Sequence, residues 1–177
     1  DPSFVWDPVS GASGYYLYWG TNPLGTSSSL ITSAAYDPAA VTTGVYYLRV
    51  RTRFAWGYER EDWSTIFTYR LDNTPPTNPS SASDLNGASS GVWQNLNGDP
   101  NFTWSGASDG AGTGIDFYNT YWGSSSTGTS INAVVYHPSI GYNPAAVSTG
   151  TYYLRIQTVD LMGNAAGWST VFTYQYD

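Results

Sequence analysis

Apolar and polar positions alternate along the chain with a period of two. Tyr46, Leu48 and Val50 alternate with Tyr47, Arg49 and Arg51, and Tyr152, Leu154 and Ile156 alternate with Tyr153, Arg155 and Gln157. That period predicts strands with one buried face and one wet face. Elsewhere, short runs rich in Tyr, Val, Thr and Phe are bounded by clusters of Gly, Pro, Asn, Asp and Ser, which predicts an all-β sandwich architecture. No stretch carries a convincing helical period.

The pattern occurs twice. Thr42 to Val50, TTGVYYLRV, returns as Ser148 to Ile156, STGTYYLRI, 106 positions later. Asp1-Pro2-Ser3-Phe4-Val5-Trp6 returns as Asp99-Pro100-Asn101-Phe102-Thr103-Trp104, Tyr18-Trp19-Gly20 as Tyr121-Trp122-Gly123, and Trp63-Ser64-Thr65 as Trp168-Ser169-Thr170. The offset drifts only between 98 and 106, so the copies differ by small loop insertions. This predicts a sandwich over 1–72, a proline-rich linker over 73–80, and a second sandwich over 81–177. Pro75, Pro76 and Pro79 restrict φ and remove ladder donors, which suits a short, semi-stiff spacer. The first copy begins at the equivalent of Asp99, so nothing in it matches Ser80 to Gly98, where Gly91-Val92-Trp93-Gln94 carries a weak strand signal. The expectation is a first sandwich without its opening strand, whose edge stays open or is filled by a segment upstream in the full protein or by a neighbouring molecule.

Composition narrows the function. With 16 Tyr and 8 Trp among 177 residues and only 11% charged, there is apolar area for two modest cores. All six basic residues are Arg, and the net charge is −7. Phosphate neutralisation by a basic surface is therefore missing and nucleic acid is not expected as a partner. The absence of Cys removes disulfides, thiolate metal sites and cysteine nucleophiles. No apolar run approaches 18 residues, so no membrane span is expected. The opening Asp1-Pro2 predicts a processed product or a piece of something longer.

Few residues offer chemistry. The one His, His137, precedes Pro138 and has no twin in the first copy, so a structural or surface role is expected. Glu59, Glu61 and Asp62 form a loop cluster before the last strand of the first copy, expected to be solvated. Asp109 and Asp116 flank a Gly-rich loop that lacks the oxygen ladder of an EF-hand, and a hairpin connection is expected in place of a calcium loop. No catalytic residue, metal ligand or cofactor site is therefore assigned. Asn101-Phe102-Thr103 is a glycosylation sequon, making Asn101 a candidate for an attached glycan. Arg49, Arg51 and Arg53 make a basic stripe on one strand where the second copy has Arg155, Gln157 and Val159. Residues 1–72 hold five Arg against seven acids, residues 73–177 one Arg against six. The stripe is expected to meet an acidic partner surface.

Phe4-Val5-Trp6-Asp7-Pro8 through Gly14-Tyr15-Tyr16-Leu17-Tyr18-Trp19-Gly20 resembles the second and third strands of a fibronectin type III domain. The Gly-x-Tyr-Tyr phrase resembles that family's tyrosine corner, which gives Tyr46 and Tyr152 structural roles. Trp104 to Asp109 and Val159 to Asn164 are similar to phrases of tandem Ig-like or fibronectin-like repeats in bacterial surface and secreted proteins. The first copy departs at Phe54-Ala55-Trp56-Gly57-Tyr58, which makes Trp56 and Tyr58 interface candidates. The resemblance implies two tandem Ig-like or fibronectin III-like sandwiches in a non-enzymatic, extracellular or cell-surface structural protein. It would self-associate as a homo-oligomer or filament, by a strand donated to the open first domain. With no Lys, the Lys-Asn isopeptide bonds of many such sandwiches cannot form. The alternative is a carbohydrate-binding or spacer module of a secreted polysaccharide-degrading enzyme, with Trp56, Tyr58 and Trp63 as sugar platforms.

Overall fold

A computed structural model describes residues 1–177, and the chain divides into two compact units, Asp1–Asp72 and Asn73–Asp177. Unit 1 contains β1 (Phe4–Val5), β2 (Ala12–Gly20), β3 (Leu30–Ile31), β4 (Ala35–Tyr36), β5 (Gly44–Phe54) and β6 (Ser64–Leu71). Its strands form an antiparallel pair, β1-β4, and a four-stranded sheet ordered β3-β2-β5-β6. Unit 2 contains β7 (Ser81–Asp84), β8 (Trp93–Gln94), β9 (Phe102–Ser105), β10 (Ile115–Gly123), β11 (Ala133–Tyr136), β12 (Gly141–Tyr142), β13 (Gly150–Asp160) and β14 (Ser169–Tyr176). A three-stranded sheet, β12-β9-β7, faces a five-stranded one, β11-β10-β13-β14-β8.

The period-two pattern places the core as the sequence predicts. In unit 2, Phe102 and Trp104 of β9 pack against Tyr118, Leu154, Ile156, Phe172 and Tyr174 of the opposing sheet. In unit 1 the buried cluster contracts to Phe4, Leu17 and Leu48. Both units repeat the same aromatic lattice: Phe4 lies 5.1 Å from Trp19 and 5.2 Å from Phe67, and Phe102 lies 5.1 Å from Trp122 and from Phe172. Register irregularities also recur, between Leu48 and Arg49 and between Leu154 and Arg155.

Segments lying over this face of β5 correct the expectation of an outward arginine stripe. Arg49 is only 8% exposed. Its guanidinium donates to Gly25 O at 2.7 Å, Trp63 O at 3.2 Å and Thr65 Oγ1 at 3.2 Å. Arg155 repeats the arrangement, donating to Gly128 O at 2.5 Å and Trp168 O at 3.1 Å. The buried Arg49 cation is tolerated because carbonyl oxygens replace its water, and it and the half-buried Arg155 each pin a hairpin loop and the start of the last strand to the sheet. The loops can come close because they carry glycine. A Cβ at Gly25 would stand 2.1 Å from Tyr18 Cζ, and one at Gly128 would stand 2.1 Å from Tyr121 Cζ.

The units differ in what covers β6 and β14. In unit 2, residues 81–97 close the sandwich. There β7 pairs with β9, and β8 pairs in parallel with β14. The Tyr174 hydroxyl donates to Asn97 O, and the Asp84 carboxylate accepts the Ala88 and Asn101 N–H groups at 2.9 and 2.7 Å. No strand of unit 1 takes that place, so β6 is a sheet edge. Phe172 is accordingly 2% exposed while its counterpart Phe67 is 48% exposed, and Val5 is 83% exposed.

The proline-rich stretch, expected as a short, semi-stiff spacer, is held to unit 2 at its far end. Pro76 and Pro79 are buried. Thr77 N–H donates to Ser108 O at 2.7 Å, and Asn78 Oδ1 accepts from the Thr158 N–H at 2.8 Å. Unsatisfied strand groups near β13 thus bind the end of the stretch to unit 2.

Candidate functional site

The residue set with the richest chemistry lies on unit 1. Alternation along β2 puts Tyr16 and Tyr18 on one face, and the β2-β5 register sets Arg51 directly opposite Tyr16. Arg51 Cζ stands 4.7 Å from the Tyr16 ring centroid and 5.8 Å from that of Trp63. Its Nη2 pairs with Glu59 Oε2 at 2.9 Å, and the Tyr16 hydroxyl donates to Glu59 Oε1 at 2.6 Å. One carboxylate therefore ties an aromatic hydroxyl to a guanidinium held between two rings, a cation–π arrangement reinforced by an ion pair. The Tyr16 pKa is raised, chiefly because its proton is held by Glu59 and secondarily by desolvation. Together with Tyr18 and Ser27, the Tyr16, Arg51 and Trp63 side chains line an open cleft of about 880 Å³.

Unit 2 replaces this set at the same register. Asn119 faces Gln157, and Asn119 Nδ2 donates to Gln157 Oε1 at 3.1 Å. Gln157 Nε2 donates to Ala166 O at 2.9 Å. Neutral amides satisfy one another where unit 1 holds an aromatic ring, a cation and a carboxylate, so the fold itself does not require the Tyr16 cluster.

The other sequence candidates lie elsewhere. Arg53 is half-buried at the end of β5, and its backbone bridges to Glu59. Trp56 is fully exposed in a tight turn, at φ 72° and ψ 10°, and does not line the cleft. Tyr58 is exposed with its ring 5.8 Å from Phe54. The turn closes through Phe54 N–H to Tyr58 O at 2.7 Å, as Asp160 N–H to Asn164 O at 3.1 Å closes the matching turn of unit 2, where the Asp160 carboxylate also accepts the Met162 and Asn164 N–H groups. Glu61 and Asp62 are exposed, while Glu59 is drawn into the cluster, contrary to the expectation that all three are solvated. Trp63, named from the sequence as a platform, is a wall of the cleft. Tyr16 is missed in the sequence because the Tyr-Tyr phrase reads as strand packing. Its signal is the paired exchange of Tyr16 and Arg51 for Asn119 and Gln157.

The Tyr46 hydroxyl donates to Thr42 O at 3.1 Å, and its ring stacks on Trp19 at 5.5 Å. Tyr152 stacks on Trp122 at 5.6 Å in the same way. Asn101 is half-buried at the start of β9, and its carbonyl accepts the Leu85 N–H at 2.7 Å. His137 stands edge-on to Tyr118, with ring centroids 6.4 Å apart. Asp109 Oδ2 accepts the Gly114 N–H at 2.6 Å, closing its glycine loop. A carboxylate oxygen of Asp109 lies within 4.8 Å of one of Asp160, and Asp116 is not in that group.

Strand order defines the class. In unit 2 a three-stranded antiparallel sheet packs on a sheet whose central strands are β10, β13 and β14, and the four-stranded sheet of unit 1 repeats the order of its inner strands. This is an all-β protein of the immunoglobulin and fibronectin type III sandwich class. No family model and no curated protein matches the sequence. Among solved structures, the chain is similar to the fibronectin(III)-like modules of Clostridium thermocellum CbhA, at 16% identity over 98% of this chain and 82% of that one, with a TM-score of 0.41. The class assignment rests on the strand order itself. No helix is long and apolar enough to cross a membrane.

Proposed function

We propose that this chain is a non-catalytic extracellular structural module, a segment of a stalk, fibre or adhesin, whose first unit presents an open sheet edge to an added strand. The observation that carries this reading is the exposure of Phe67 beside an unpaired β6, set against the burial of Phe172 beneath residues 81–97. An apolar edge with free N–H and C=O groups is a template for strand addition, and unit 2 supplies the pattern of what fits there. A segment with the chemistry of Ser81–Gly98 would pair with β6, shield Phe67 and deepen a core that now rests on Phe4, Leu17 and Leu48. The absence of a nucleophile–base pair among the candidates fits a mechanical role.

Sedimentation of the chain, with and without a synthetic Ser81–Gly98 peptide, tests this reading. Concentration-dependent association that the peptide suppresses is expected, with Phe67→Asp abolishing both association and peptide binding. A chain that stays monomeric at high concentration and ignores the peptide overturns the proposal.

A further inference from the structure

We infer that unit 1 has a second docking seat, on the β1 side and separate from the β6 edge: a small pocket that receives the asparagine of an extended partner segment, Pro-x-Asn-Pro-x followed by a basic residue. Unit 2 shows the equivalent seat filled by its own chain. There Asn78 Oδ1 accepts from the Thr158 N–H at 2.8 Å and from the Thr158 hydroxyl at 3.0 Å, while Asn78 Nδ2 donates to Gly167 O at 2.5 Å. Pro79 is buried next to it, Ser80 N–H donates to Ser105 O at 3.0 Å, and the segment runs on as β7 against β9. An amide that both accepts and donates fixes the register of the strand that follows it.

Unit 1 repeats the seat without that segment. Thr52 lies opposite Tyr15 as Thr158 lies opposite Tyr118, and it lines a pocket of about 230 Å³ together with Trp6, Tyr15 and Ile66. Strand β1 pairs with β4 on one side and with no strand on the other, where β9 has β7. Ile66 is 38% exposed, whereas its counterpart Val171 packs on the core. The volume is below the about 300–1,000 Å³ of a small-molecule site, which suits one or two side chains of a peptide. Charge then selects the partner. Asp7 and Asp62 stand exposed on the rim where unit 2 has Ser105 and Gly167, and with Arg60 beside them the acids remain one in excess. The β7-β9 register sets Ser81 opposite Ser105, so the equivalent residue of a partner faces Asp7 across the strand pair, where a basic side chain is favoured. A second folded copy offers only Ser81 there and has its Asn78 already engaged, so the occupant is a different segment.

Fluorescence anisotropy of the full chain with a labelled synthetic peptide of the Pro75–Asp84 sequence carrying Ser81→Arg tests the inference. One-to-one saturation is expected, because unit 2 holds its own segment covalently in place. The same peptide with Asn78→Ala should bind about tenfold or more weakly. Returning the arginine to serine should weaken binding severalfold at low ionic strength, and the two peptides should converge in about 1 M salt, where charges are screened within about 3 Å. Asp7→Asn in the chain should make them converge without salt. Amide NMR locates the contact: resonances of Thr52 and Asp62 should shift, and those of Thr68 and Arg70 on β6 should not, so that this seat and the β6 edge can fail separately. The proposal is overturned by no binding, by equal binding of the Asn78→Ala peptide, by indifference to the Ser81→Arg exchange, or by shifts confined to β6 or to Thr158.

Discussion

Phe67 and Phe172 occupy the same register position, opposite Leu48 and Leu154, and each ring lies just over 5 Å from the β-strand phenylalanine of the facing sheet. One is half-exposed and the other buried. Identical local geometry with unequal cover means that the two side chains should contribute unequally to stability. Phe172→Ala should cost about 3–4 kcal/mol, by lost transfer and a residual cavity, and Phe67→Ala about 1 kcal/mol. Urea unfolding followed by tryptophan fluorescence measures both, and equal losses would contradict the difference in cover.

Arg49 and Arg155 are structural ties. Arg155→Ala removes donors from two loop carbonyls and should destabilise unit 2 by about 2–3 kcal/mol, and Arg49→Ala should act likewise in unit 1. Arg70→Ala, at an exposed position, should stay within about 0.5 kcal/mol of the parent. Thermal unfolding of the three variants separates the two classes.

Gly25 and Gly128 are required by close approach to Tyr18 and Tyr121. Gly128→Ala should cost about 1–3 kcal/mol, because the ring and the loop backbone cannot both stay in place. Gly167→Ala, where a Cβ meets nothing within 4 Å, should be near neutral. A double-mutant cycle with Tyr121→Ala should recover most of the Gly128→Ala loss. Additive losses would show that the ring is not the obstacle.

Trp56 holds a left-handed backbone conformation that suits glycine, and its exposed ring packs on nothing that would offset the strain. Trp56→Gly should raise the stability of unit 1 by about 1 kcal/mol or less, since part of the relief is returned as unfolded-state entropy. Equilibrium denaturation reads the sign, and a clear loss would reveal a packing role for the ring.

Alkaline pH should loosen both units. The pKa of Tyr16 is raised by its hydrogen bond to Glu59, and those of Tyr118, Tyr142 and Tyr174 are raised by burial. A raised folded-state pKa means that the native state holds the proton more tightly than the unfolded chain. The associated stability is present below the unfolded tyrosine value of about 10 and is lost as pH rises through the folded values. Tyrosinate absorbance should show a late-titrating group whose amplitude falls in Tyr16→Phe and in Tyr174→Phe. Titration of every tyrosine together near its ordinary value would contradict this.

The sequence by itself determined the strands, the duplication and the core. Period-two alternation at Tyr46, Leu48 and Val50 and the returning Tyr-Tyr-Leu-Arg phrase are local properties, fixed by side-chain direction along a strand. It also located the divergence between copies at Arg51 and in the Phe54–Tyr58 turn. What it misjudged was Arg49, because alternation assigns a face but not what lies over that face. Only the tertiary structure brought the Gly25 and Trp63 carbonyls onto that guanidinium, closing loops distant in sequence above it. The same reason hid the Tyr16–Glu59–Arg51–Trp63 cluster, whose members come from a strand, a turn, a neighbouring strand and the approach to another. Their chemistry is legible residue by residue, but their meeting depends on the β2-β5 register and on a turn that returns Glu59 to the sheet. The fate of Phe67 was likewise decided in three dimensions, by whether a covering segment occupies the edge of β6.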